Sequence, residues 1–213
     1  MIEKTGASRS SYSQKQNGRF RAVLRLAEKC DYDRVHSHRV THLALRLFDQ
    51  LQAIHGLGEN ARFWLKCGAV LHDIGKGSGK SHHKTALKIV LSTPELPFDM
   101  TTRRIIGLVA RYHRKAMPSL QHRHFAKLNG RHRKTVKKLA AILRIADALD
   151  SRHHGLVRTI RCEIMAGQIV SRCELHRDAY SEYRKLIKRK VNQKGVLLEK
   201  VFGRKLSLKW YAA

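Results

Sequence analysis

With 213 residues, 42% of them hydrophobic, the chain is long enough to bury one good-sized core, and it has no run of about 18 apolar residues that would make a membrane span. Its formal net charge of +28 excludes a neutral or acidic surface and predicts polyanionic partners: nucleic acid, polyphosphate or highly phosphorylated nucleotides. The charge is uneven, since no Asp or Glu lies between Asp99 and Asp147 while Lys and Arg are dense there.

Residues 1–18 are polar and lack an apolar signal core, so a disordered tail and a cytoplasmic protein are expected. Cys30, Cys67, Cys162 and Cys173 are widely spaced with no CxxC, which predicts reduced thiols rather than a disulfide frame or zinc site. Phe20 to Glu28 carries Phe20, Val23, Leu24 and Ala27 at helical spacing. Asp31 or Asp33 can cap a second helix running to about Leu51. Its apolar stripe is His36, Val40, Leu43, Leu47 and Leu51, so His36 projects with the core leucines while His38 and His42 fall on the surface.

Gly56 and Gly58 mark a turn before a helix over Glu59 to Asp73, which delivers His72 and Asp73 at its end, with Gly75 as the stop. The glycines from Gly75 to Ser81 do not make a phosphate loop: Ile74 stands where the first glycine is required, and no strand precedes it. That segment is expected to be a flexible basic loop able to touch phosphate. His82 and His83 open the next helix, through Leu91, and Pro94 and Pro97 break it. A helix over Thr101 to Tyr112 carries Ile105, Ile106, Val109 and Tyr112, with His113 at its end.

After a basic, irregular stretch, a helix over Arg131 to Ser151 is apolar on nearly every face from Leu139 to Leu149 and should be central. Asp147 within it needs a cation or a salt-bridge partner; Arg144 is one such partner, and Asp150 is a second acid one turn on. Beyond Val157 the residues predict a hairpin, Thr159 to Ile164 and Ile169 to Leu175 around Ala166-Gly167, then a helix over Ala179 to Lys190. Short strands at Val196 to Val201 and Lys205 to Lys209 complete it. The expected architecture is mainly α: a helical domain over residues 19–155 with a small C-terminal α+β subdomain over residues 156–213.

Helical faces thus present His36, His72, Asp73, His82 or His83, His113 and Asp147, nearly all from different helices. Imidazole and carboxylate together suit Mn, Fe, Co, Ni or Zn, or Mg where carboxylate and water dominate, at one or two ions per chain. Two ions could clamp the phosphate oxygens of an in-line displacement.

In this order, His36, then His72-Asp73, then Asp147, the sequence resembles the HD superfamily of metal-dependent phosphohydrolases, an HD-domain helical bundle with the signature H…HD…D. It is most similar to the C-terminal HD region of exopolyphosphatase and guanosine-pentaphosphate phosphohydrolase proteins, without their N-terminal actin-like domains. The segments that carry this begin at His36-Ser-His-Arg-Val-Thr-His, Gly68-Ala-Val-Leu-His-Asp-Ile-Gly, His82-His-Lys, Ala110-Arg-Tyr-His-Arg-Lys and Leu139-Ala-Ala-Ile-Leu-Arg-Ile-Ala-Asp. The resemblance implies His36, His72, Asp73 and Asp147 as metal ligands; two-metal branches add histidines whose places match His82 and His113, and His83 less well. Thr85-Ala86 after Lys84, and Ser151-Arg152-His153, depart from the usual pattern of that branch.

The expected activity is metal-dependent hydrolysis of a nucleotide or of a phosphate-rich polyanion such as polyphosphate. Asp73 or Asp147 would orient water, with Asp150 as a further base. Lys76, Lys80, Lys84, Arg111, Arg114 and Lys115 are the candidates for phosphate contacts. The alternative is a non-catalytic module that binds polyphosphate or RNA around a structural metal. No membrane partner is expected, nucleic acid is an expected ligand of the basic surface, and self-association to a homo-oligomer stays open.

Overall fold

The computed structural model describes residues 5–75, 82–175 and 181–212, with side chains over 14–75, 84–175 and 181–211. The expectations for Lys76 and Lys80, and for the side chains of His82 and His83, lie outside the described residues.

The chain folds into a helical bundle closed at one end by a small sheet. Helix α1 (Thr5–Lys29) packs on α4 (Glu59–Val70), and α2 (Arg34–Gln50) lies across α4 and α8 (Gly130–Leu149). One-turn helices α3 (Gln52–His55) and α7 (Arg123–Ala126) fill connections, and α5 (His82–Ser92) packs on α6 (Met100–Arg111). α8 is the axis: it touches α2, α4, α6 and α9 (Ser181–Phe202), and every residue from Leu139 to Leu149 is buried. No described helix is long and apolar enough to cross a membrane.

The helix starts follow from local hydrogen bonding. Asp33 caps α2 by accepting from the His36 amide, Asp99 caps α6 through Thr102, and Asn129 caps α8 through His132. Where α4 crosses α6, Gly68 is required: a Cβ there would lie 2.9 Å from Val109 Cγ1. That close approach brings the C-terminal ends of α4 and α6 together.

Strands β1 (Val157–Met165) and β2 (Gln168–Leu175) form the expected antiparallel hairpin, turning at Gly167 with φ of 74°. β3 (Lys205–Ala212) adds to β2 in parallel, after a crossover through α9.

Three expectations change. Backbone from Thr5 is helical, where a disordered tail to Gly18 is expected; the stretch holds no proline and extends a helix anchored by buried Val23, Leu26 and Ala27. α4 stops at Val70, and residues 71–75 form turns, so His72 and Asp73 follow the helix rather than ending it. Val196 to Val201 is not a strand but the last part of α9, because Ile187, Val191, Leu198 and Phe202 make one buried stripe. Gly195 admits Leu206 of β3 at this point, with 3.0 Å to an added Cβ.

Finally, the core runs unbroken across residue 155: Ile160, Ile169, Cys173, Val191 and Leu208 join the same cluster as Leu43, Leu139 and Ile142. The small C-terminal α+β part packs as a second wall of that core. All four cysteines are free.

Candidate metal centre

Three helix ends meet at one point. His72 follows α4 and His113 follows α6, and each donates from Nδ1 to a last-turn carbonyl of its own helix, Ala69 O at 2.7 Å and Ala110 O at 2.6 Å. Both carbonyls lie in the last turn of their helices, and by bonding them each histidine closes its helix and turns Nε2 outward. His36, in the first turn of α2, reaches the same point. Its Nδ1 donates to Asp150 Oδ2 at 2.8 Å, and its Nε2 lies 3.2 Å from His72 Nε2.

Two carboxylates complete the cluster. Asp73 Oδ2 lies 3.8 Å from His36 Nε2 and 3.6 Å from His72 Nε2, while its Oδ1 lies 3.5 Å from His113 Nε2. Asp147 Oδ1 lies 3.6 Å from His36 Nε2 and 3.9 Å from His72 Nε2. All five side chains are buried. His36, His72 and Asp147 can each offer one donor atom to a common point, and so can His72, Asp73 and His113.

The protonation pattern follows from these contacts. Burial works against a charge on His36, but the Asp147 and Asp150 carboxylates outweigh it and raise its pKa to about 9. Burial keeps His72 neutral and, with His72 beside it, drives His113 down to about 3. Burial opposes the Asp147 carboxylate, yet Lys194 and the surrounding histidines hold it well below the usual range. A proton on His36 Nε2 therefore points at the lone pair of His72 Nε2, 3.2 Å away.

Around this point lie supports that sequence reasoning did not find. Asp33, besides capping α2, accepts from His153 Nδ1 at 2.6 Å, and the His153 ring stacks on His36 with centroids 3.7 Å apart. Lys194 of α9 donates to Asp147 Oδ2. Arg144, expected as that partner, instead donates to the Tyr112 and Lys194 carbonyls and ties α6 to α9. Lys194 was invisible because residues 196–201 read as a strand, which hid its place on a helix facing α8. His153 stood out only as a departure from the branch pattern.

Asp73, His113 and Asp147 form the floor of a cavity of about 510 Å³. Arg114 and Lys115 line it, and Lys190 and Lys194 line it from α9. Arg111 and Lys84 do not: they lie around His122, Arg111 over the Tyr112 ring. Asp150 also leaves the expected set of groups facing the cavity, since it is buried behind His36 and accepts from Gly155 N through its other oxygen.

No curated protein matches the chain. The family model of Ppx/GppA phosphatase, domain III, matches residues 19–194, from α1 to the middle of α9, and so takes in every side chain of the cluster and its Lys194 support. On that match, extending over most of its length, the chain belongs to the family of Ppx/GppA phosphatase domain III.

Proposed function

We propose that the buried cluster holds a divalent metal ion and that the protein is an HD-type metal-dependent phosphohydrolase acting on a nucleotide or a phosphate-rich polyanion. One observation carries this: three imidazole Nε2 atoms and two carboxylates converge at the floor of a basic cavity. Membership of a phosphatase family supports the same chemistry.

The donor set fits a first-row transition ion, for imidazole suits Mn, Fe, Co, Ni or Zn better than it suits Mg. His36, His72, Asp73 and Asp147 would hold it. His72 has a single outward lone pair, so it cannot serve two ions; a second would rely on Asp73 and His113. A bound ion supplies charge against the transferring phosphoryl group and acidifies water.

The chain's own residues do the rest. Arg114, Lys115, Lys190 and Lys194 draw phosphate oxygens into the cavity and neutralise charge that spreads over them. Asp147, held ionised by Lys194, is a poor proton acceptor, so Asp73 is the carboxylate placed to orient water. Asp150 positions His36: its oxygen fixes the proton on Nδ1 and leaves Nε2 for the ion.

The test is phosphate release from nucleotides, cyclic nucleotides and polyphosphate, with Mn²⁺, Mg²⁺, Co²⁺ or Ni²⁺ added to metal-free protein. Turnover that disappears in Asp73→Ala is expected. If every substrate survives with every metal, the enzymatic reading is lost and a non-catalytic polyanion-binding module takes its place.

A further inference from the structure

The cavity over the metal cluster does not end at its rim. Met117 lines both it and an adjoining cleft of about 550 Å³, and that cleft shares Lys134 and Lys138 with a third of about 870 Å³ between the starts of α4 and α8. The three make a continuous track beside α8, from Gly130 at its start to Asp147 near its end, roughly 25 Å of helix rise.

The track changes character along its length. At its start, Arg131, Lys134 and Lys138 stand on successive turns of α8, facing the half-buried ring of Trp64; Glu59 is the one carboxylate among the lining side chains there. Lys138 donates to the His55 carbonyl at 2.7 Å, which fixes its ammonium without neutralising it. In the middle the floor is apolar, made by Met117, Pro118, Val196, Leu197 and Val201, and the rim is lysine, Lys134, Lys137 and Lys138 from α8 and Lys200 from α9. Met117 and Val196 are 39% and 51% exposed, so this floor is open to water.

We infer that the track binds single-stranded nucleic acid, with phosphates on the lysine rim, bases on the Met117/Val196 floor and against Trp64, and one end of the strand delivered to the metal cavity. Inorganic polyphosphate matches the rim but has no apolar part to cover the floor. A single strand has both, and its unstacked bases bury apolar surface against the floor. A duplex keeps its base faces stacked inside and offers the floor nothing. The inference rests on the phosphohydrolase reading only for what the track leads to; binding requires none of the metal ligands.

The experiment is fluorescence anisotropy of a labelled twelve-residue oligouridylate with the full chain at fixed moderate salt, circular dichroism confirming the fold of each variant. Lys134→Glu with Lys137→Glu is expected to weaken binding at least ~10-fold. Met117→Ser with Val196→Ser is expected to weaken it about 10-fold while leaving competition by polyphosphate of equal length unchanged. Asp73→Ala, which tests the hydrolase, is expected to bind as the wild type does. If the lysine pair matters and the apolar pair does not, the track is a polyphosphate site and the nucleic-acid assignment is overturned. If neither pair matters, the track binds no polyanion at all.

Discussion

His36 is held from both sides, by Asp150 at Nδ1 and by the cluster at Nε2, and this gives the site a pH signature. In the metal-free protein its folded pKa is about 9 against 6.5 for the ordinary group. Both states hold the proton below pH 6.5; between 6.5 and 9 only the folded state does, so this stabilisation is lost as pH rises through that window. His113 acts in the other direction: its folded value near 3 means that below pH 6.5 the unfolded chain takes up a proton and the folded one does not. The metal-free protein should therefore be most stable near pH 6.5 to 7, and its melting temperature should fall on either side. His36→Gln should flatten the alkaline limb alone. Since an ion displaces the His36 proton, metal affinity should climb with pH up to about 9. Asp150→Asn removes the carboxylate that sets the tautomer; calorimetric titration should show metal binding weakened about 10- to 100-fold, with the circular dichroism spectrum unchanged.

At the scale of the element, the site is an arrangement of helix ends. α4 and α6 point their carbonyl ends at the cluster, which favours positive charge there, and the histidines that follow them satisfy the open carbonyls. Much of this was legible in the sequence. The His36 stripe of α2, the His-Asp pair after α4, His113 after α6 and the all-round apolar α8 are local patterns, and local patterns survive folding. What was not legible depends on partners far along the chain. Lys194 meets Asp147 only because α9 extends through residues whose β-branched content suggests a strand, and the buried stripe that makes them helical exists only once β3 and α8 are in place. Arg144 seemed the natural partner for Asp147 three residues away, but its buried guanidinium is used on backbone carbonyls instead. Lys194 also competes with a metal for Asp147. Lys194→Met is thus expected to bind the ion several-fold more tightly while raising KM for a phosphorylated substrate about tenfold, the worth of one charge-assisted contact.

For the molecule as a whole, +28 of formal charge means that binding of any linear polyanion is driven largely by counterion release. If only Arg114, Lys115, Lys190 and Lys194 contact phosphate, affinity should fall roughly 100-fold between about 50 and 200 mM salt, read as a straight line in log–log form. Metal affinity, set within a buried cluster, should scarcely move over the same range.

The unbroken core across residue 155 also sets an order of events during synthesis. While residues up to 155 emerge, the α8 surface destined for α9 and the sheet has nothing to bury it, and Asp147 lacks Lys194. The parallel partner of β2 follows α9, so the sheet cannot close until residues 205–212 have been made. A chain stalled near residue 155 would carry an uncovered apolar helix and an unpaired buried acid, making it a ready substrate for chaperones and proteases rather than a free-standing helical domain.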